Sequence, residues 1–407
     1  MTEQTTRHGI GGQTSTSDGE RGGRDTDHRP AILAEWLAGT GRNGARPSGP
    51  PPPAPGPAAP APPPSGYRAA LSAAVTNLNA ASLSFVMGTG IVSTALYVNG
   101  AGTASAALLW VALAGFVVLV PAYGWWMLCR RRRFMATLLG PRAFALLTLA
   151  VSSNVLAARL VPDGHTAVAG AFLAFGVLGW LVLDYVVPLA LITTLKRNPS
   201  LDQVDGTWFL WAVGSESVAV AAASLARAAP SHALAVLAMV CWAIGLIQYL
   251  LTAAMVLTRL LARPTRPEGL MTSVWIFMGA AAITVLATVR LMALPPDETM
   301  LSRPLLVGVA VVLWAFSSWL IPLLLALGVW RHVLRGVPLH YEVGWWNLVF
   351  PIGMYAVTTH ELGRATGASW MTSTGRWEVW VAAAVWAVVF AAMPTAVPRR
   401  RSTLREP

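Results

Sequence analysis

The chain has 407 residues, of which 55% are hydrophobic and 12% are charged, and its formal net charge is +11. Soluble domains contain about a quarter charged residues, so this composition excludes an ordinary soluble enzyme or binding module and indicates a polytopic membrane protein. A nucleic-acid partner is not expected, because the arginines are scattered through short loops between apolar stretches and form no basic domain.

The N-terminal segment, residues 1–66, is rich in Gly, Ser, Thr, Arg and Pro and ends in a proline-rich run at 50–64. Such a composition cannot bury a hydrophobic core, so we expect a disordered cytoplasmic tail. A dispensable tail or a stiff spacer is the simplest interpretation, and a docking segment is the alternative. Residues 67–398 are then the transmembrane domain, and 399–407 form a basic cytoplasmic C-terminal tail.

A transmembrane helix needs about 20 mainly apolar residues, and ten such stretches follow residue 80. The loops after the even-numbered stretches, together with the C-terminal tail, contain 16 Lys and Arg residues, whereas the opposite side contains six. By the positive-inside rule, both termini are predicted to be cytoplasmic in the cell membrane. The predicted stretches are 80–98, 103–128, 141–160, 165–194, 207–228, 232–261, 270–292, 303–330, 344–365 and 376–396.

Small or polar clusters recur in the odd-numbered stretches at nearly constant spacing. This recurrence predicts five copies of one helical hairpin. Because polar residues within a membrane usually face the bundle interior, we expect the odd helices inside and the almost wholly apolar even helices outside. Helix packing explains any single glycine cluster equally well. The marker residues Gly88, Ser152, Ser215, Gly279 and Gly353 are separated by 64, 63, 64 and 74 positions.

The ninth stretch has the sequence WWNLVFPIGMYAVTTHELGR at 345–364 and contains Pro351 and Gly353. These residues predict a helix interrupted near its middle. An interruption at membrane depth is tolerated only where the segment is buried in protein or lines a water-filled path. We therefore expect the ninth stretch to form part of the wall of a pore.

Two strings, SFVMGTGIVSTAL at 84–96 and WWNLVFPIGMYAVTT at 345–359, resemble the tellurite-resistance/dicarboxylate transporter (TDT) family. That family includes bacterial TehA, yeast malate permease, fungal sulfite efflux pumps and the plant guard-cell slow anion channels. The resemblance covers residues 80 to about 396. It implies an all-α integral membrane fold of ten transmembrane helices, arranged as five helical hairpins around a quasi-fivefold central pore. It also implies a homotrimer with one path per subunit, gated by Phe350.

Anion passage through a low-dielectric medium requires positive potential or compensating dipoles. Four odd stretches end with an arginine. Each alone is better explained as an interfacial side chain, but their recurrence on inner helices predicts an outer vestibule. Bonding within or between helices is the alternative for the hydroxyl groups. The predicted vestibule residues are Arg159, Arg227, Arg290 and Arg364, and the predicted pore-lining residues are Gly88, Thr89, Ser152, Ser153, Asn154, Ser215, Glu216, Gly279, Pro351 and Gly353.

Two acidic residues lie inside predicted spans. An ionised Glu216 in an inner helix would repel anions and would be costly to desolvate, so we expect it to be protonated, paired or titrated during transport. We hypothesise that Glu216 couples a proton to anion movement, and a neutral structural glutamate is the alternative. Asp184 belongs to an outer helix, where a structural hydrogen bond or a subunit contact is expected.

The predicted function is transport of a small anion of the C4-dicarboxylate, tellurite, sulfite or chloride class, by a channel or by a proton-coupled dicarboxylate carrier. An integral membrane enzyme is the first competing interpretation, but no nucleophile and base, metal or nucleotide pattern supports it. We therefore expect no cofactor and no metal. The second is a signalling scaffold that acts through its proline-rich tail. The partners expected are the anion, the lipid bilayer and further copies of the chain.

Overall fold

The computed structural model describes residues 81–193, 203–263, 267 and 272–396. The predicted tails, 1–66 and 399–407, lie outside these described residues. Within the described ranges the chain is helical and contains no β-strand. The predicted all-helical class is therefore confirmed.

Ten helices of 13 or more residues lie in the described part of the chain, and we number them α1 to α10. A shorter helix, Arg131–Leu138, follows α2. The odd-numbered helices are α1 Ser84–Val98, α3 Thr148–Leu160, α5 Leu210–Ala228, α7 Ile276–Met292 and α9 Trp346–Thr366. The even-numbered helices are α2 Gly102–Cys129, α4 Thr166–Thr193, α6 His232–Ala262, α8 Arg303–Val329 and α10 Ser369–Ala392.

Among the described residues, eight helical segments are long and apolar enough to cross a membrane. They contain α2 to α8 and α10. The remaining two long helices are α1, which is apolar but has only 15 residues, and α9. A multi-pass membrane protein is confirmed, while membrane crossing by α1 and α9 stays a prediction.

The odd and even helices differ strongly in burial. In α3, α5 and α7, with the turns that precede them, 89% of the most apolar 18-residue window is buried, whereas in the even helices only 17–39% is buried. The exposed surface of the even helices is apolar, with Val117, Leu189 and Val312 at least 60% exposed. Such a surface suits lipid, so the even helices shield these odd helices, as their sequences predict.

The odd helices contact one another in a closed cycle, in which α1 contacts α3, α3 contacts α5, α5 contacts α7, α7 contacts α9 and α9 contacts α1. Each even helix packs against the odd helix that precedes it. In four places an indole N–H of an even helix also donates to a hydroxyl of the odd helix that follows in the cycle. The bonds are Trp180 to Ser215 (2.9 Å), Trp242 to Thr288 (2.8 Å), Trp314 to Thr359 (3.1 Å) and Trp386 to Thr89 (3.0 Å).

A 3-10 turn directly precedes four of the odd helices, and successive turns contact one another. The closest approach is at Gly206, where a Cβ atom would overlap the carbonyl group of Ser273. Only glycine fits at this approach of two backbones. The four turns are Ala143–Leu147, Gly206–Phe209, Thr272–Trp275 and Val343–Trp345.

Two details of the predicted elements are wrong. Helix α9 is continuous from Trp346 to Thr366. Pro351 removes one backbone bond, to the carbonyl of Asn347, but the helix continues through it. Helices α2, α4 and α8 likewise continue through Pro121, Pro188 and Pro322. Helix α10 begins at Ser369 rather than at 376, because Gly367, with φ +75°, ends α9 and reverses the chain there.

Candidate functional site

A cavity of about 500 Å³ lies near the C-terminal ends of the odd-numbered helices. All five odd helices contribute side chains to its wall. Four of these side chains are the arginines predicted for the vestibule: Arg159, Arg227, Arg290 and Arg364. They are far apart in sequence, and the closed cycle of helices brings them to one cavity.

Arg159 is the most firmly held of the four. Its side chain is 2% exposed, and its guanidinium lies 4.4 Å from the centre of the Tyr97 ring. One terminal nitrogen donates to Ser105 Oγ at 2.8 Å and the other pairs with Asp163 Oδ2 at 2.9 Å, while Nε lies 3.2 Å from Ser93 Oγ. These contacts fix the guanidinium in the wall of the cavity.

Arg290 and Arg364 share one acidic partner, Glu361, which also lines the cavity. Arg290 Nη1 donates to Glu361 Oε2 at 3.1 Å, and Arg364 Nη1 lies 4.0 Å from Glu361 Oε1. The side chains of Arg290 and Glu361 are 21% and 14% exposed, whereas that of Arg364 is 66% exposed. The first contact is therefore a partly buried ion pair between α7 and α9, and the second is a surface contact.

Arg227 is the exposed arginine of α5, and among the described residues no acidic group lies within 4.0 Å of it. It stands in the last turn of its helix, as Arg159 and Arg290 do. A cation there complements the partial negative charge of the helix end. Arg227 is the one arginine of the cavity wall that has no carboxylate within 4.0 Å in the described part of the chain.

Of the ten predicted pore-lining residues, Asn154 alone lines this cavity. Its Nδ2 donates to Ser217 Oγ of α5 at 3.0 Å, and its Oδ1 is buried without a partner among the described residues. Two further hydroxyls of the wall, on Thr94 and Ser224, donate to their own helices, to Gly90 O at 3.0 Å and Val220 O at 2.7 Å. Each hydroxyl oxygen can still accept a bond, but its proton is already used.

The predicted glycines lie at contacts between odd helices. A Cβ atom at Gly279 would lie 2.8 Å from Cβ of Pro351, so α7 and α9 touch there. A Cβ atom built at Gly353 would lie 3.0 Å from Ile91 of α1, and one built at Gly88 would lie 3.3 Å from Trp346 of α9. These positions, with Pro351 itself, allow neighbouring inner helices to approach closely, which is the packing role of small residues in membrane bundles.

The predicted hydroxyls also bond to neighbouring elements. Ser152 donates to Leu83 O at 2.9 Å, and Ser153 donates to Phe172 O of α4 at 2.6 Å. Thr89 and Ser215 accept indole N–H groups of outer helices, as described above, and Ser215 donates to Gln248 Oε1 of α6 at 2.7 Å. The structure thus does not bring these four hydroxyls together at the cavity.

Glu216 is fully buried and lies against Gly245 of α6, between the inner and the outer helices. Neither carboxyl oxygen has a hydrogen-bond partner among the described residues. Thr284 of α7 is a polar neighbour, but its hydroxyl donates to Ala280 O at 2.9 Å. An ionised carboxylate without a partner would be very costly at such a position.

Asp184 of α4 has the structural hydrogen bond expected for it. It accepts from Gln248 Nε2 of α6, with Oδ1 at 3.1 Å and Oδ2 at 3.2 Å. Gln248 also accepts from Ser215, so one network joins α4, α5 and α6. Asp184 therefore ties outer helices to an inner helix.

Phe350 is fully buried and does not line the cavity. Met354, one helical turn further along α9, does line it. Residues four apart occupy the same face of a helix, so Phe350 lies one turn deeper than the cavity on the face of α9 that carries Met354.

Two acidic groups were not predicted from the sequence. Glu361 lies three residues before Arg364 on one helix face, a spacing that could have indicated the contact, but its stronger partner Arg290 belongs to another helix. Glu378 of α10 has one buried carboxyl oxygen, Oε2, without a partner among the described residues. No spacing signal in the sequence points to it.

Comparison with known proteins gives a family match and three informative relatives. The family model described as SLAC1, voltage-dependent anion channel, matches residues 77–394. Two strains of Mycobacterium tuberculosis each have an uncharacterized membrane protein that is 43% identical over 146 residues, which is 36% of this chain and 74% of that protein. An uncharacterized transporter of Methanocaldococcus jannaschii is 25% identical over 245 residues, which is 59% of this chain and 69% of the relative.

Proposed function

This chain belongs to the SLAC1 voltage-dependent anion channel family, a family of transport proteins rather than enzymes, and on that premise we propose that it moves small anions along the axis enclosed by its odd-numbered helices. The observation that carries the proposal is the cavity to which all five odd helices contribute. Its charged lining comprises four arginines and one glutamate, so the cavity attracts anions.

The proposed path needs a bundle that encloses it. We propose that α1 and α9 cross the membrane together with the other eight helices, which makes ten spans in five hairpins around a quasi-fivefold axis. The closed cycle of contacts among the odd helices supports this arrangement, as do the four indole bonds to the next odd helix. In the proposed orientation both termini are cytoplasmic and the cavity faces outward.

Phe350 is the proposed gate. Its complete burial, one turn deeper than Met354 of the cavity wall, supports a position in which the aromatic ring obstructs the path. An obstruction of this kind opens when the ring rotates or α9 moves. The proposed assembly is a homotrimer with one path per subunit, and the mass of the purified protein in lipid nanodiscs tests that number.

Flux into proteoliposomes tests the proposed function. Purified protein is reconstituted and challenged with chloride, sulfite, tellurite and succinate, the last as a C4-dicarboxylate, each with and without a pH gradient. We expect flux of at least one of these anions above that of protein-free liposomes. No flux under any imposed gradient would contradict anion transport.

A proton-coupled carrier is the second candidate, and the buried, unpartnered carboxyl group of Glu216 favours it. Glu216 lies away from the cavity, against α6, so coupling would act through the packing of α5 against α6 rather than through contact with the anion. A pH gradient that drives uphill anion flux supports the carrier, and flux that responds only to the anion gradient and the voltage supports the channel.

A further inference from the structure

The two acidic residues that contact the cavity's arginines form ion pairs that differ in burial and in the number of further contacts. Asp163 pairs with Arg159, whose side chain is 2% exposed and whose guanidinium also donates to Ser105. Glu361 pairs with Arg290, whose guanidinium has fewer contacts. The two ion pairs therefore differ in how easily an incoming anion can replace the carboxylate.

Arg290 retains unused hydrogen-bonding capacity. Its Nη1 donates to Glu361 at 3.1 Å, and its Nε is buried without a partner among the described residues. A guanidinium offers five N–H donors in a planar fork that matches a carboxylate or another oxyanion. Arg290 is thus able to bind an anion beside the Glu361 carboxylate, or an anion in place of that carboxylate.

We propose that the cavity contains an anion site centred on Arg290, and that the carboxylate of Glu361 is a built-in competitor that occupies this site when no anion is bound. This inference rests on the proposed function and adds to it the group that sets the affinity for the anion. An entering anion takes over Arg290 while Glu361 turns toward Arg364, which already lies 4.0 Å from it. When the anion leaves, Glu361 returns to Arg290.

Competition of this kind suits a transport protein. Conduction requires binding that is favourable enough for the anion to enter and weak enough for it to leave. Arg227, which has no acidic partner within 4.0 Å among the described residues, provides the first attraction. Glu361 then limits how tightly the anion is held, because part of the binding free energy is spent in displacing it.

Three proteins test the inference: wild type, Glu361→Gln and Glu298→Gln. Glu298 is the matched control, because it is also a paired glutamate, 2.9 Å from His232 Nδ1, but does not line this cavity. The concentration dependence of flux is measured with chloride and with succinate. We expect Glu361→Gln to lower the half-saturating concentration about fivefold or more without raising the maximal flux, and Glu298→Gln to match wild type.

A second measurement does not depend on flux. The thermal unfolding midpoint of each purified protein is followed as chloride or succinate is added, since an anion that binds the folded state raises the midpoint. We expect the midpoint of Glu361→Gln to rise at lower anion concentrations than that of wild type. In the double variant Arg290→Gln/Glu361→Gln this increase in anion affinity should be lost. If the Arg290–Glu361 ion pair only held α7 against α9, Glu361→Gln would have a lower unfolding midpoint and no higher affinity for the anion.

Equal anion responses of wild type and Glu361→Gln in both measurements would overturn the inference. A Glu361→Gln protein that is destabilised and responds no more strongly to anion would overturn it as well. Absence of flux in wild type would instead contradict the proposed function, and the thermal midpoints would then decide the inference by themselves.

Discussion

Gly245 of α6 lies directly against the carboxyl group of Glu216 on α5, such that a Cβ atom at position 245 would be 2.7 Å from both Cγ and Oε1 of the glutamate. The carboxyl group therefore fits because residue 245 has no side chain, and not because a polar partner holds it there. This relationship places the carboxyl group in the layer between the inner and the outer helices. Any change in its charge would act on how α5 packs against α6.

Gly245→Ala tests this packing. Alanine normally stabilises a helix relative to glycine, but here the added methyl group overlaps Glu216, and overpacking costs about 1–3 kcal/mol. We expect a lower thermal unfolding midpoint in detergent. Gly308→Ala of α8 is the matched control, because no atom lies within 4 Å of a Cβ built there. Equal midpoints for the two variants would show that the Glu216 side chain relaxes freely.

Glu216→Gln tests proton coupling. Glutamine keeps the shape of a protonated glutamate but cannot release a proton, so we expect the pH dependence of anion flux in proteoliposomes to flatten while folded protein is retained. Asp184→Asn serves as the control, since Asp184 is a hydrogen-bonded acid of the outer helices. If Glu216→Gln flux follows the pH dependence of wild type, coupling through this residue is excluded.

Phe350→Ala tests the gate. Removal of an obstructing ring opens the path, so we expect higher basal anion flux with folded protein retained. Phe277→Ala is the control from the core, because Phe277 is 2% exposed and stacks on Phe209 at 4.6 Å. That control should lose about 3–5 kcal/mol of stability and gain no flux. A Phe350→Ala protein that behaves like the control would mean that Phe350 is a packing residue.

Arg227→Gln tests the attraction of anions to the cavity. Loss of this charge should reduce the apparent association rate of the anion by roughly tenfold at low ionic strength, and the difference should shrink as salt is added. Arg303→Gln is the control, because Arg303 donates to the carbonyls of Met292 and Ala365 and does not line the cavity. Equal effects of the two substitutions would indicate a general surface-charge effect.

Cys129 offers a test of orientation. It is exposed at the end of α2, whereas the other cysteine, Cys241, is buried. With both termini cytoplasmic, a membrane-impermeant thiol reagent should label Cys129 in inside-out vesicles and not in intact cells, and Cys129→Ser should abolish the label. Labelling in intact cells would reverse the proposed topology.

Much of the fold follows from local sequence. Counted with the 3-10 turns that precede them, the long helices were located by apolar length and loop composition to within a few residues, with the start of α10 as the exception. Two motifs at 84–96 and 345–359 were sufficient to recognise the family that the match over 77–394 confirms. The recurrence of arginine at the ends of odd helices predicted a shared position, and the cavity contains all four. These features depend on composition and spacing along the chain, which a sequence states directly.

The positions of the side chains at the site could not be derived from the sequence in the same way. A small residue in a membrane helix is compatible with a pore wall or with a helix contact, and only the packed bundle shows that Gly279 faces Pro351. The rotation of an odd helix about its axis cannot be derived from periodicity when nearly all of its surface is buried. For that reason Glu216, in the middle of an inner helix, was predicted to face the path, although it contacts Gly245 of the outer ring.

The sequence by itself determined that this is a multi-pass helical membrane protein in which buried and exposed helices alternate, because hydrophobic length and the spacing of polar clusters are properties of the chain. Tertiary structure alone decided which charges meet. Arg290 and Glu361 are separated by 71 positions and touch because α7 and α9 are neighbours in the cycle. An ion pair depends on distances of a few ångströms, and only the packing of whole helices sets those distances.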